Sequence, residues 1–413
     1  MNGKMQVCCL NTKEIIGNIT HNTIKEAWNG KTAELIRSSF KNNTFSDGCY
    51  DCKNQIENNE FYGVKSKLYD TLKPSVKNYP VLMEFELKNT CNLKCIMCND
   101  DLSSAHITKN PLKQYNNSNY NTDFVNQLTE FIPFLKYTSF IGGEPFLIDL
   151  YFEIWDLIFK INPKIRINIS TNGTVLNSKI KTYLEKGLFD ISVSIDSIKK
   201  ETYEKIRVGA NLENTIKNLE WFKLYCNRKK TFFSVWICPM RINCYEIISI
   251  VQYFSELNIP IFFNTVWTPH TLSLWNWDVN NLYNLLQQLN NINSFGNNKF
   301  QKENYNRFND FRKQIKTWYI KQIQNQNNKT YFNAKTKDLE IFFNEKLHNL
   351  KLNKIIIDTI TEKLSLVIKN KNEEQKNKIY VFLINFPIEK LVDIIFNKSI
   401  EELNLYISEY IIN

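Results

Sequence analysis

Between residues 81 and 266 six short strand-like runs, apolar or alternating in character, alternate with helix-like segments, and this alternation restricts the possible folds more than any other feature of the chain. The runs are 81–87, 137–141, 165–170, 191–195, 232–238 and 261–266, with helical periodicity at 151–161, 180–186 and 247–257 between them. Short strands rich in β-branched and aromatic residues, each followed by a helix, predict βαβ units and a parallel sheet. Six units with right-handed crossovers make an α/β wheel that is open on one side. In such a sheet reactive groups sit on the loops after the strands, where several strand ends meet.

The loop after the first run is the richest in chemistry. Cys91, Cys95 and Cys98 form a C-x3-C-x2-C array directly after an apolar strand. Three thiolates this close on one loop can wrap one face of a cubane iron–sulfur cluster and leave the fourth iron open to a substrate or cofactor. A structural zinc site would want four closed ligands, and no second pair of Cys or His follows at matching spacing.

Each later strand ends in polar or flexible residues. Gly142-Gly143-Glu144-Pro145 follows the second run; its glycines let backbone approach a ligand closely, and its carboxylate can accept hydrogen bonds from an ammonium group. Ser170 and Asn172 end the third strand, and Ser194 and Asp196 the fourth. Ser-Thr-Asn-Gly equally suits a plain strand-to-turn transition, and Asp196 could simply cap the next helix. Cys238 and Cys244, near the fifth strand's end, are candidate hydrogen-atom donors or substrate contacts, though an inert buried thiol is the reading preferred for Cys238 and still more for Cys226.

A second set of cysteines lies in the first seventy residues: Cys8 and Cys9, then Cys49 and Cys52. Ile24, Ala27, Trp28, Leu35, Ile36 and Phe40 recur at helical spacing between them, with Asn22 or Thr23 as the cap. A C-x2-C pair plus a distant thiolate can grip a second cluster or a zinc ion.

The cysteine loop, with Met97 before its last cysteine, resembles that of the radical S-adenosylmethionine (radical SAM) superfamily. The resemblance continues through Ile141–Pro145, 170–173 and 192–196. It implies a partial (β/α)6 barrel in which Cys91, Cys95 and Cys98 hold a 4Fe-4S cluster and S-adenosyl-L-methionine chelates the open iron. It also implies cofactor contacts from Met97, Gly142, Gly143, Glu144, Ser170, Asn172, Ser194 and Arg207, with Glu144 on the amino group and Arg207 on the carboxylate. Reductive cleavage of SAM would then yield a 5′-deoxyadenosyl radical that abstracts hydrogen from substrate, using a flavodoxin- or ferredoxin-type electron donor. Gly3 to Cys8, Gly17-Asn18-Ile19, Trp28, Arg37 and Cys49-x2-Cys52 resemble the SPASM/twitch auxiliary-cluster module. That resemblance makes Cys8, Cys49 and Cys52 ligands of an auxiliary iron–sulfur cluster. The family pattern has a further cysteine upstream of the glycine; the chain begins two residues before it, so Cys9, a non-cysteine ligand or an earlier start would complete the site, or the site holds a damaged cluster. The module favours oxidation, cross-linking or epimerisation of a peptide; dehydrogenation or rearrangement of a sugar-like metabolite is the enzymatic alternative, and a non-catalytic iron–sulfur scaffold or sensor the alternative of another class.

The domains expected are an auxiliary module at 1–75, the barrel at 76–277 and a largely helical region at 278–413, where Ile355, Ile356, Ile360, Leu364 and Val367 form apolar rows. A connector at 71–80 joins the first two, and 267–277, rich in tryptophan, ends the barrel. His348 reads as a surface or half-buried residue. Ten cysteines without a secretory signal suit metal or redox use in the cytoplasm rather than a disulfide framework. No run of eighteen apolar residues exists to span a bilayer. The net charge of +10 divides evenly about residue 278 without a dense basic arm, which disfavours nucleic acid as a partner.

Overall fold

The computed structural model describes residues 3–42, 44–57, 60–61, 64–70, 72–73, 78–106, 120–327, 336–350, 352–386 and 388–411. It divides into two compact units, one of residues 71–319 with the first three residues, the other of Lys4–Asp70 with Ile320–Asn413. The 71–80 connector lies partly outside the described residues.

In the second unit, β1 (Lys4–Met5) and β2 (Gly17–Asn18) form an antiparallel ribbon. Where one helical stretch is expected, two helices occur, Ile24–Asn29 and Lys31–Lys41. Gly30 between them is extended, at φ −72° and ψ 162°. The break resets the helical register, so Ala33 and Ile36 are buried whereas Leu35 and Phe40 face outward. Thr23 is the cap, in a capping box with Glu26.

The first unit is built on six parallel strands: β3 (Leu82–Phe85), β4 (Tyr137–Phe140), β5 (Arg166–Thr171), β6 (Leu188–Ser194), β7 (Phe233–Ile237) and β8 (Ile261–Phe263). Each pairs with the next in chain order, so the sheet is a partial barrel of consecutive βα units. All six expected strands are present. One face of β5 and β6 is apolar, with Ile167, Ile169, Ile191 and Val193 fully buried. The register aligns Asn168 with Asp190, and Ser170 with Ser192, on the other face. Helix Asp149–Ile161 packs Trp155 against Phe140, ring centroids 5.5 Å apart. Its Tyr151 hydroxyl donates to Ile141 O at 2.7 Å and accepts from Leu87 N at 3.1 Å, tying the ends of β3 and β4 together.

The structure departs from the expected boundary at residue 278. Helix Val279–Asn290 buries Leu282, Leu285 and Leu289, and helix Lys299–Asn327 covers the free edge of β8. Asn304, fully buried, accepts from Ile261 N at 3.0 Å and donates to Ile259 O at 2.9 Å, while Phe311 stacks on Phe263. An edge strand needs such a partner for its unpaired backbone groups. These residues therefore belong with the barrel, and residues 320–413 pack with the N-terminal module instead. In helix Lys354–Ile368, Ile356, Ile357, Ile360, Leu364 and Val367 are buried; Ile355, expected among them, is 75% exposed. Among the described residues, no helix is long and apolar enough to cross a membrane.

Candidate iron–sulfur and cofactor sites

The loop after β3 is held in place by its neighbours. Lys94 N donates to Val208 O and Ile96 N to Ile206 O, both at 2.9 Å, so the cysteine loop runs beside the segment that carries Arg207. Cys91 N donates to Ser104 Oγ at 3.0 Å, Ser103 Oγ to Leu93 O at 2.8 Å, and a ring nitrogen of His106 lies 3.0 Å from Cys95 O. Sequence reasoning missed this strap. Its only signal is a Ser-Ser pair shortly after the last cysteine, suited to side-chain-to-backbone bonding.

The glycines after β4 are explained by the same loop. A Cβ on Gly143 would lie 2.1 Å from Thr90 O, and one on Gly142, at φ +95°, 2.7 Å from Lys88 O. Glu144 N donates to Thr90 O at 2.7 Å. The close approach that demands glycine is thus to the backbone of the cysteine loop.

Cys95 is buried and Cys91 and Cys98 are half-buried. A hydrogen bond from Cys98 draws the Cys95 thiol down to about 7 against the cost of burial, and the Arg207 guanidinium adds to this. Cys98 is correspondingly pushed up, and burial raises Cys91. Among the described residues no three His, Cys, Asp or Glu converge on a single metal ion. In a cubane, each thiolate binds a different iron.

Arg207 forms a buried ion pair with Asp196, Nη2 to Oδ2 2.7 Å, and its Nε is buried without a hydrogen-bond partner. Asp196 accepts from Cys238 N at 2.7 Å and so links the ends of β6 and β7 rather than capping a helix. Glu144 is fully buried. Its Oε1 accepts from Thr171 Oγ1 at 2.8 Å and Phe146 N at 3.2 Å, and its Oε2 from Asn172 N at 2.7 Å. Burial raises its carboxyl to about 7 against the lowering effect of these hydrogen bonds and of Arg207. The amide of Asn172 donates to Asn92 Oδ1 at 3.0 Å and reaches Cys91 Sγ at 3.9 Å. Ser170 and Ser194 are half-buried. Met97 packs with Ile206, Met240 and Val266, and Cys238 joins the same apolar patch. Burial pushes Cys226 and Cys244 up to about 12. Cys226 lies by Phe189 O at the opposite end of β6, and Cys244 is 1% exposed.

In the other unit, the Cys8 and Cys49 loops come together. Ser46 Oγ lies 3.3 Å from Cys49 Sγ, Asn11 Nδ2 donates toward the same sulfur at 3.9 Å, and Leu10 N points at Cys8 Sγ at 3.5 Å. Burial raises the Cys49 thiol, with Glu14, Cys8 and Cys52 adding smaller contributions in the same direction. Glu14 Oε2 accepts from Gly48 N at 3.1 Å, Asn11 Nδ2 at 2.7 Å and Ser46 Oγ at 2.5 Å, which fastens the two loops. Donors aimed at sulfur are what a thiolate cluster ligand uses, so this set fits an iron–sulfur group. The three thiols after β3, with Arg207 beside Cys95, fit one equally.

Residues 85–237 match the model of the radical SAM superfamily, and residues 1–53 match SPASM, described as an iron-sulfur cluster-binding domain. A GTP 3′,8-cyclase of Synechocystis is 29% identical over 134 residues, 31% of this chain and 38% of the relative. A GTP 3′,8-cyclase of Aquifex aeolicus is 25% identical over 200 residues, 48% of this chain and 59% of the relative. The chain thus spans less than two thirds of the length of these curated relatives. Among solved structures, native anSMEcpe with bound AdoMet aligns at TM-score 0.40 and 20% identity, covering 51% of this chain and 59% of that one.

Proposed function

Because this chain belongs to the radical SAM superfamily and carries an N-terminal SPASM domain, we propose that it is an enzyme that cleaves S-adenosylmethionine reductively and abstracts hydrogen from a substrate. Cys91, Cys95 and Cys98 would hold a 4Fe-4S cluster, and Cys8, Cys49 and Cys52 an auxiliary one. When bound, the first cluster supplies the electron that breaks the sulfonium bond of SAM, releasing methionine and a 5′-deoxyadenosyl radical.

The observation that carries this proposal is the convergence on one loop of three thiols with Arg207, whose charge favours the Cys95 thiolate. Gly142 and Gly143 seat the β4 loop against the cysteines, and Glu144 ties that loop to the end of β5. Three protein donors already bond Glu144, so its remaining acceptor capacity is what a SAM amino group would use. Arg207 is paired with Asp196, which leaves its Nε as the donor available to a cofactor carboxylate. Asn172, Ser170 and Ser194 would contact the cofactor from neighbouring strand ends, and Met97 would pack against it. A flavodoxin- or ferredoxin-type protein would supply the electron.

For the substrate, the SPASM domain and its thiols support a peptide that is oxidised, cross-linked or epimerised. The names of the GTP 3′,8-cyclase relatives favour a second reading, a ribose-containing nucleotide, in line with rearrangement of a sugar-like metabolite. Their aligned stretches cover only part of each protein.

Anaerobic reconstitution of wild type and of the Cys91→Ala, Cys95→Ala, Cys98→Ala triple variant tests the proposal. About eight irons falling to four, or a smaller count falling by about four, supports the assignment, and no iron in either protein ends it. Dithionite-reduced wild type should yield 5′-deoxyadenosine from SAM, and the triple variant none. A loaded wild type that forms none is a scaffold. Stimulation by GTP rather than by peptides would favour the nucleotide reading.

A further inference from the structure

The helix Ile388–Asn397 presents Lys390, Asp393 and Asn397, spaced i, i+3 and i+7, on one face. Its Leu391, Val392 and Ile395 are buried. The polar face meets both N-terminal cysteine loops. Lys390 Nζ lies 2.8 Å from Asp51 Oδ2, with the two side chains only 21% and 9% exposed. Asp51 and Tyr50 are the two residues between Cys49 and Cys52. Asp393 bonds the Tyr50 side chain and accepts from Thr12 Oγ1 at 3.3 Å, and Asn397 Nδ2 donates to Thr12 Oγ1 at 3.0 Å. Thr12 and Lys13 follow Cys8, and Lys13 Nζ stands 3.4 Å over the centre of the Tyr50 ring.

From this geometry we infer that the helix Ile388–Asn397 is the outer wall of the auxiliary site. Lys390, Asp393 and Asn397 are positioning residues that hold the Cys8 loop and the Cys49-x2-Cys52 turn at the separation an iron–sulfur cluster requires. The inference rests on the assignment of Cys8, Cys49 and Cys52 to that cluster. It gives the C-terminal helices a role in cofactor binding: none of them carries a cysteine, yet one fixes the residues between and beside the ligands. Loss of an outer partner of this kind typically costs roughly 10- to 100-fold in metal affinity.

The full chain with Cys91, Cys95 and Cys98 replaced by alanine isolates the auxiliary iron. In this parent, Lys390→Met, Lys390→Arg and Asn397→Ala are compared for iron per chain, rate of iron loss to a chelator and the EPR spectrum after reduction, with circular dichroism as the folding control. Lys390→Met should lose iron roughly 10- to 100-fold faster than the parent and alter the spectrum. Lys390→Arg should hold it nearly as well, and the milder Asn397→Ala should fall between. Adding Asp51→Asn to Lys390→Met should restore part of the retention, because no charge is then stranded. Iron loss at the parental rate in folded Lys390→Met overturns the inference; if that variant does not fold, parental retention in Asn397→Ala does so. A parent without iron overturns the auxiliary-site assignment, and the inference with it.

Discussion

Replacing Gly143 by alanine tests whether the glycine pair serves the approach of two loops. The added Cβ would lie 2.1 Å from Thr90 O and 2.6 Å from the carbonyl of Asn89. A carbon and a carbonyl oxygen rest no closer than about 3.3 Å. The loops after β3 and β4 must therefore part by roughly 1.2 Å, and both obstacles are backbone, which no rotamer change relieves. The parting breaks the 2.7 Å bond from Glu144 N to Thr90 O. Overpacking and one lost buried hydrogen bond together cost about 2–5 kcal/mol. At roughly 2–4 °C per kcal/mol for a domain of this size, Tm of the metal-free protein should fall by roughly 4–20 °C. Iron uptake at the barrel site should fall with it. Gly209→Ala is the control: its Cβ has 3.5 Å to the nearest atom, so only its φ of +97° is strained, at about 1–2 kcal/mol. Differential scanning fluorimetry and iron counts on both variants decide the matter. A Gly143→Ala protein with wild-type melting and full iron, or a Gly209→Ala protein equally damaged, would refute the reasoning.

Burial raises the Glu144 carboxyl from 4.5 to about 7, so its contribution to stability is fully present below pH 4.5 and is lost as pH rises through about 7. Urea midpoints of the metal-free triple variant between about pH 5 and 8 should decline, and Glu144→Gln should flatten the decline; identical slopes would count against it. Arg207→Met strands the fully buried Asp196, at about 3–5 kcal/mol by chemical denaturation. Adding Asp196→Asn should recover part of that loss, and an additive result would show that the two do not act as a pair. Asn304→Leu leaves Ile261 N, Ile259 O and Ser255 Oγ without their partner, at about 1–3 kcal/mol per group. Faster hydrogen exchange at the Ile261 amide is the expected sign, and unchanged exchange would rule out this edge closure.

The strands were legible because apolar and polar residues alternate in them, as in Ile-Arg-Ile-Asn-Ile at Ile165 to Ile169 and Ile-Ser-Val-Ser-Ile at Ile191 to Ile195, the period-2 pattern of a strand with one apolar face. The cysteine loop was legible because its chemistry is concentrated in eight residues, Cys91 to Cys98. What period alone does not carry is the choice of partner. Ile355 and Ile356 are equally apolar, and only the packing of helix Lys354–Ile368 decides which is buried. The end of the barrel unit could not be placed because Asn304 reads as a polar helix residue until it is seen bonded to β8. Glu144 and Arg207 are singled out by their motifs, but their ties to Thr171, Asn172 and Asp196 cross strands and have no sequence spacing to reveal them.

The pairing of Lys94 and Ile96 with Val208 and Ile206 also has a consequence in time. During synthesis the three cysteines emerge long before the segment that borders them, and chains lengthen at roughly 5–20 residues per second. Until Val208 has left the ribosome and β6 has joined the sheet, Cys95 has neither its neighbouring backbone nor the charge of Arg207. A nascent chain halted before that point would present reactive thiols without a seat for them. On the proposed assignment of Cys91, Cys95 and Cys98 to a cluster, metal delivery to the barrel would be a late step, made to a nearly finished sheet, and a truncation ending ahead of residue 206 should fail to load iron there even with all three cysteines intact.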